Sequence, residues 1–157
     1  MQYRQIRRKD RVWDGASAER LLETAEYGFL ALSDGGAGYG VPISFVKSGA
    51  KIYFHCAPEG RKLDAIGAGA EASFCAVGKT RVIPGKFTTA YESAMAQGRI
   101  SLCVCEEERL EALRLLVKKY SPDFEEVAEK YIAASKSRTA VLRLDIRHIS
   151  GKAKLME

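Results

Sequence analysis

Residues 39–63 read Y-G-V-P-I-S-F-V-K-S-G-A-K-I-Y-F-H-C-A-P-E-G-R-K-L. The run from Val41 to Val46 is apolar and β-branched, Ser48-Gly49 offers a turn, and Lys51 to Ala57 returns, so the stretch predicts a β-hairpin. With Ser48 and Gly49 as the turn pair, Ser44 faces Tyr53 and Pro42 faces His55. Facing residues of an antiparallel pair project to one side. Pro42, Ser44, Tyr53 and His55 therefore form a mixed polar and flat face, suited to a ligand. Val41, Ile43, Ile52, Phe54 and Cys56 form a core face. Pro58-Glu59-Gly60-Arg61-Lys62 follows, where strand gives way to helix. Free N–H groups at a helix start, a glycine that lets the backbone approach, and two cationic side chains suit a phosphate. The residues alone thus point to a phosphorylated flat cofactor, with an ordinary basic turn as the alternative.

Working outward, Ser17 reads as the N-cap of a helix through Tyr27, and Tyr27 to Ser33 as an apolar strand closed by the glycine-rich D-G-G-A-G turn. After the hairpin, Leu63 to Ala70 predicts a weak helix containing Gly67 and Gly69, and Ser73 to Val77 a strand. Lys79 to Ala90 reads as a loop around Pro84-Gly85, and Tyr91 to Cys105 as a long strand bent or bulged at Gly98. Glu106 to Tyr120 is the clearest helix, acids first and lysines last. Ser121-Pro122 starts another, with Phe124, Val127, Ala128, Tyr131 and Ile132 as its buried stripe. Thr139 to Ile149 alternates as a final strand. Six mostly antiparallel strands with segregated helices predict an α+β fold, and glycine-bent strands favour a barrel over a sandwich.

The chain of 157 residues, 46% hydrophobic and 29% charged, fits one domain spanning 1–157, with residues 1–16 as a basic arm that is solvated or wraps a second copy. It contains no apolar run long enough to span a membrane, and its basic start leads into no signal-like segment, so a cytoplasmic location is the expectation. The net charge of +5 owes much to the first 11 residues. Without aromatics interleaved among the cations, nucleic acid is not the expected partner. Cys56, Cys75, Cys103 and Cys105 read as free thiols in strand-like runs; Cys103 and Cys105 would share a strand face and are too few ligands for zinc, so no metal is expected.

Several segments together resemble the FMN-binding split barrels of the pyridoxamine 5′-phosphate oxidase-like superfamily, and within it the nitroimidazole-resistance (Nim) flavoproteins. They are Gly40 to Phe45, Ile52 to Ala57, Glu59 to Lys62, Tyr91-Glu92-Ser93, Gly98-Arg99, Glu111-Ala112-Leu113, Lys119-Tyr120 and Ser150-Gly151-Lys152. The resemblance implies a six-stranded Greek-key split barrel that forms a homodimer with FMN in the groove between protomers. Val41, Pro42, Ile43 and Ser44 would run along the ring edge, His55 and Cys56 would lie beside it, Gly60, Arg61 and Lys62 would hold the phosphate, and Ser93 would add a contact. His55 is then the candidate catalytic residue. The implied activity is an oxidoreductase that takes electrons from a reduced nicotinamide or another donor and delivers them to a small flat acceptor, a nitroaromatic or quinone. The alternatives are a flavin-binding or redox-sensing module without turnover, or a haem or deazaflavin binder on the same barrel. A true pyridoxamine 5′-phosphate oxidase carries a C-terminal segment with arginine and tryptophan, of which Arg147-His148 is only a fragment, so vitamin B6 oxidation is not expected.

Overall fold

The structure is a computed structural model and describes residues 3–155. Its elements, in chain order, are β1 (Val12–Trp13), α1 (Gly15–Thr24), β2 (Tyr27–Asp34), β3 (Ala37–Ser44), β4 (Val46–Ser48), β5 (Lys51–Cys56), α2 (Arg61–Ile66), β6 (Ala70–Ile83), β7 (Thr88–Leu102), α3 (Glu106–Tyr120), α4 (Glu125–Ser135) and β8 (Ala140–Lys154). Every strand pair is antiparallel, and the hydrogen-bonded order is β3-β2-β6-β7-β8-β5-β4, with β1 added on β8. This is the α+β, split-barrel arrangement the sequence predicts. The six expected strands are joined by two stubs, β1 and β4, giving a sheet of eight.

The hairpin at the centre of the sequence reading divides in two. Residues Ala37–Ser44 pair with β2, Tyr27 opposite Ser44 and Phe29 opposite Pro42, not with β5. Only Val46–Ser48 pairs with β5, Val46 opposite Tyr53, so the turn is Gly49-Ala50 and not Ser48-Gly49. Gly49 has φ +55 and occupies the first central position, where a type II′ turn calls for glycine. His55 accordingly stands opposite Val141 of β8, not Pro42. The predicted core face survives the change of partner, whereas the expected ligand face loses Tyr53, which is buried in a second core. Val41, Ile43, Ile52, Phe54 and Cys56 pack on the main core, while Pro42, Ser44 and His55 are exposed.

One nearly continuous segment therefore serves both edges of the sheet, changing partner at Phe45. That residue is fully buried, its ring 4.5 Å from that of Phe74, which in turn lies 5.2 Å from Phe54. Between two partners, its backbone has no strand to bond. The Tyr120 hydroxyl at the end of α3 fills the gap: it accepts the Phe45 N–H at 2.8 Å and places its single proton between the carbonyls of Phe45 (2.8 Å) and Glu26 (2.6 Å). Burial raises the Tyr120 pKa, so this hydroxyl keeps its proton. The neighbouring Lys119 ammonium lies 3.8 Å above the Phe45 ring, buried and without a hydrogen bond, and burial lowers its pKa to about 8.

A second core lies on the opposite side of β5, where Val46, Tyr53, Cys103 and Val141 meet Ala112, Leu113 and Leu116 of α3 and Ile132 of α4. The helix positions are those expected, but the α4 stripe is not core: Ile132 is 5% exposed, whereas Phe124, Val127 and Tyr131 are 63%, 65% and 71% exposed. Helical spacing identifies an apolar side without saying how much of it a neighbour covers.

Other local differences have plain causes. The N-cap of α1 is Asp14, whose carboxylate accepts the Ser17 N–H at 2.8 Å, so Ser17 is the capped residue. The expected loop at 79–90 is mostly a hairpin: β6 runs on to Ile83 and pairs with Thr88 onward beyond an irregularity between Val77 and Thr80. Residues Lys79 to Val82 are exposed, so no apolar alternation betrays the strand. Gly98 marks the expected bulge, with the register to β8 shifting between Gln97 and Gly98; a Cβ there would collide with the Asp145 carbonyl. Strand β7 ends at Leu102, leaving Cys103 buried and Cys105 exposed at the start of α3, and all four cysteines are free. No helix among the described residues is long and apolar enough to cross a membrane.

Removing the Tyr120 hydroxyl tests the seam. Tyr120→Phe strands the buried Phe45 N–H and is expected to destabilise the fold by about 1–3 kcal/mol. The check is urea unfolding, with a lower midpoint at unchanged slope; a midpoint equal to wild type overturns this role.

Candidate functional site

The basic corner forms as the sequence suggests. Gly60 precedes α2 with φ +115 and ψ 170, a conformation open to glycine and strained for other residues. Its carbonyl accepts from Leu63 and Asp64, so the N–H groups of Arg61 and Lys62 lack intrahelical partners. The two cations differ. Arg61 Nε donates to Asp34 Oδ2 at 2.7 Å, and its guanidinium lies 4.6 Å from the Tyr39 ring centre. This pair is largely exposed, and such pairs contribute about 0–1 kcal/mol, so Arg61 can exchange one anion for another. Lys62 is half-buried and makes no hydrogen bond or ion pair among the described residues.

Lys62 also reaches the end of β5. Desolvation, and after it the Lys62 charge, holds the His55 imidazole below its ordinary pKa. Burial pushes the Cys56 thiol up, with Lys62 opposing. His55 and Cys56 point to opposite faces of β5, Cys56 into the core and His55 outward. His55 opens into a cavity of about 410 Å³ that it shares with Ser44 and with Leu116, Tyr120, Tyr131 and Ile132 of the helices. On the helix side Leu113, Leu116, Val117 and Ile132 alternate with Tyr120, Ser121, Tyr131 and Ser135, and Ser44 and His55 face them from the strands. Strand β3 passes its rim as an edge strand, so its backbone groups turned away from β2 have no strand partner.

The wall of this cavity is anchored by Glu108 of α3. Its carboxylate accepts from Lys51 Nζ (2.7 Å), Tyr53 Oη (2.7 Å), the Cys103 thiol (3.4 Å) and Arg143 (2.8 Å). The bonds from Lys51 and Tyr53 lead in holding its pKa down to about 2. Burial, then the Glu108 bond, pushes Tyr53 up to about 12. Tyr53 is thus a buried structural residue, not part of an open ligand face.

Ser93 is not brought to this site within one chain. It lies on β7, with β2 and β6 between it and β3, about 14 Å across at the usual strand spacing of ~4.8 Å. Its hydroxyl donates to the Lys152 carbonyl at 3.0 Å. What Ser93 shares with Pro42 and Ser44 is the outer face of the sheet. Cross-strand neighbours there run Pro42, Phe29, Cys75, Met95 and Ser150, and Tyr27, Phe29, Val77 and Met95 are exposed large apolar residues. The sequence reading passed over this row. Its signal was present in β2, where Tyr27, Phe29 and Ala31 alternate with buried Leu30 and Leu32, making both faces apolar.

The chain belongs to the pyridoxamine 5′-phosphate oxidase family, whose profile matches residues 14–153. Among solved structures it is similar to a candidate 5-nitroimidazole antibiotic resistance protein from Bacteroides thetaiotaomicron, with 21% identity, TM-score 0.74, and coverage of 90% of this chain and 85% of that one. It is also similar to the flavocytochrome Anf3 from Azotobacter vinelandii, with 21% identity, TM-score 0.80, and 97% and 73% of the two chains covered. A third similar structure is an FAD and haem binding protein from Mycobacterium smegmatis, with 22% identity, TM-score 0.75, and 91% and 72% covered. At these identities the likeness is one of fold. No curated protein matches the sequence.

The electrostatic link between Lys62 and His55 is directly measurable. By NMR, His55 should titrate below the ordinary histidine value of about 6.5, and Lys62→Ala should move it upward while burial keeps part of the depression. A His55 titration that ignores the loss of Lys62 overturns the proximity.

Proposed function

We propose that the chain is an FMN-binding oxidoreductase that takes electrons from a reduced nicotinamide or another donor and delivers them to a small flat acceptor of the nitroaromatic or quinone type. The observation that carries this reading is the Lys62 side chain, without a hydrogen bond or ion pair among the described residues, at a glycine-built corner close enough for its charge to bear on His55. An accessible ammonium that holds no counter-ion can pair an incoming phosphate without first giving up another partner. Family membership and neighbours named for flavins support the same reading.

The residues present fit the cofactor. Gly60, Arg61 and Lys62 would hold its phosphate, with Arg61 released from Asp34. The free edge of β3 along Val41, Pro42, Ile43 and Ser44 would take the polar rim of the ring, beside His55 and Cys56. Bound FMN would supply the electron transfer. His55, neutral at pH 7 given its lowered pKa, would offer one donor and one acceptor at the cavity, where Leu116, Val117 and Ile132 exclude water from a flat acceptor. Pyridoxamine 5′-phosphate oxidation is not part of the proposal: Arg147 is paired with Glu71 at 3.0 Å, and the His148 ring stacks on Tyr3 at 4.7 Å.

The outer face of the sheet supports a homodimer. Its exposed apolar row would be covered by a second copy, and the second copy's Ser93 would then reach a site that the first copy's cannot.

Purified protein is expected to show flavin absorbance that reduced nicotinamide bleaches, and denaturation should release FMN. Lys62→Ala should weaken FMN binding by about 1.5–3 kcal/mol, the usual worth of a charge-assisted hydrogen bond. A colourless protein that takes up no added FMN, a haem Soret band, or an unchanged dissociation constant in the variant each counts against the reading. Light scattering should report a dimer; a monomer that still binds FMN tightly contradicts the shared site.

A further inference from the structure

Two surfaces of opposite charge stand uncovered in one chain. The first is the far end of the β6–β7 hairpin. Among the described residues, its arms beyond Tyr91 pair only with each other, Arg81 with Ala90 and Ile83 with Thr88. Strand β8 pairs with β7 only as far as Lys154 opposite Tyr91, and β2 meets β6 only from Ser73 to Cys75. A two-stranded ribbon by itself is marginally stable in water. This one still presents apolar side chains to solvent: Val82 is 65% exposed, and Phe87, held at φ +48, is 98% exposed. Residues 78–87 contain cations and no acid, and the side chains of Lys79 and Lys86 make no hydrogen bond or ion pair among the described residues. The second surface is the outer side of α4. Phe124, Val127 and Tyr131 recur there at helical spacing, all exposed. From Asp123 to Tyr131 the chain sets four acids against Lys130, and of these Glu125 and Glu126 have no ion pair among the described residues. Tyr131 also stands at the cavity that holds Ser44 and His55.

We propose that in the homodimer these surfaces meet. The β6–β7 ribbon of one copy lies across α4 of the other, with Val82 and Phe87 against Phe124, Val127 and Tyr131, and with Lys79 and Lys86 opposite Glu125 and Glu126. A two-fold axis lets each copy give one ribbon and receive one, which closes the pair. Opposite charge fixes how the ribbon lies, and the apolar contact supplies the packing its two strands lack. The reach, which rests on the proposed placement of the second copy's Ser93 at the flavin, is sufficient. From Ser93 to Thr88 strand β7 runs on for about 17 Å at ~3.3 Å per residue. That length exceeds the width of a cavity of about 410 Å³, which has Ser44 on its strand wall and Tyr131 on its helix wall. Phe87 of the second copy then covers the mouth of the acceptor cavity, and the site is complete only in the dimer.

The test is disulfide trapping on the full chain with FMN added, in a Cys105→Ser background. Phe87→Cys together with Tyr131→Cys should give a covalent dimer on mild oxidation, seen on a non-reducing gel, and neither substitution alone should. Sedimentation reads the same contact through its charges. Lys79→Glu/Lys86→Glu should raise the dimer dissociation constant about tenfold, as should Glu125→Lys/Glu126→Lys, and the four changes together should restore it. Circular dichroism equal to wild type shows that each variant folds. A dimer whose cysteine pair does not crosslink overturns the proposal and leaves the shared flavin site standing, whereas a monomer removes both. Wild-type protein that sediments with phosphatidylserine vesicles, and no longer does so once Lys79 and Lys86 are reversed while the dimer constant stays unchanged, makes the ribbon a membrane contact and likewise overturns it.

Discussion

The structure turns on one hydroxyl. Where the segment Ala37–Ser48 leaves β2 for β5, Phe45 has a backbone N–H and carbonyl in a dry interior with no strand alongside. An orphaned pair there would cost about 1–3 kcal/mol for each group. Tyr120 satisfies both from outside the sheet, and in doing so fixes the end of α3 against the seam. The split in the barrel and the position of the helix that walls the cavity are thus one arrangement. The same helix is held at its other end by Glu108, whose carboxylate collects Lys51, Tyr53 and Arg143. A rigid wall results, and the cavity between α3 and His55 depends on it.

The two ends of the molecule divide the cationic residues by environment. Lys62 makes no hydrogen bond or ion pair among the described residues, and its charge bears on His55 and Cys56 at the end of β5. The Arg11, Lys86 and Lys154 group is broad and open, where a positive field acts on approach as well as on binding. A net charge of +5 spread evenly would do neither.

Local signals carried the reading wherever the physics is local. Helix α3 was legible to the residue because acids, lysines and leucines all agree. The bulge at Gly98 was legible because little else tolerates that contact. The turn into α2 at Gly60 was legible because a glycine there marks a backbone conformation that other residues resist. What escaped the sequence was the choice of partner. Nothing between Val41 and Val46 announces that pairing moves from one strand to another, because the decision rests with Phe74 and Tyr120, far along the chain. The exposure of Tyr131 and Phe124 escaped for a related reason: a helical period shows that an apolar side exists, and only tertiary contact shows how much of it is covered. Ser93 stands between the two cases, on the strand expected for it, yet separated by β2 and β6 from the β3 residues it was grouped with.

The change of partner at Phe45 also bears on how the molecule meets its own kind. Both end strands of the sheet belong to the same dozen residues. One border, β4, offers three residues, too short a template for a foreign strand to zip onto. The other, β3, carries Pro42, which has no N–H to give and interrupts any ladder laid along it. The two outermost strands thus give an incoming strand little to zip onto, one because it is short and carries Lys47, the other because a proline interrupts it.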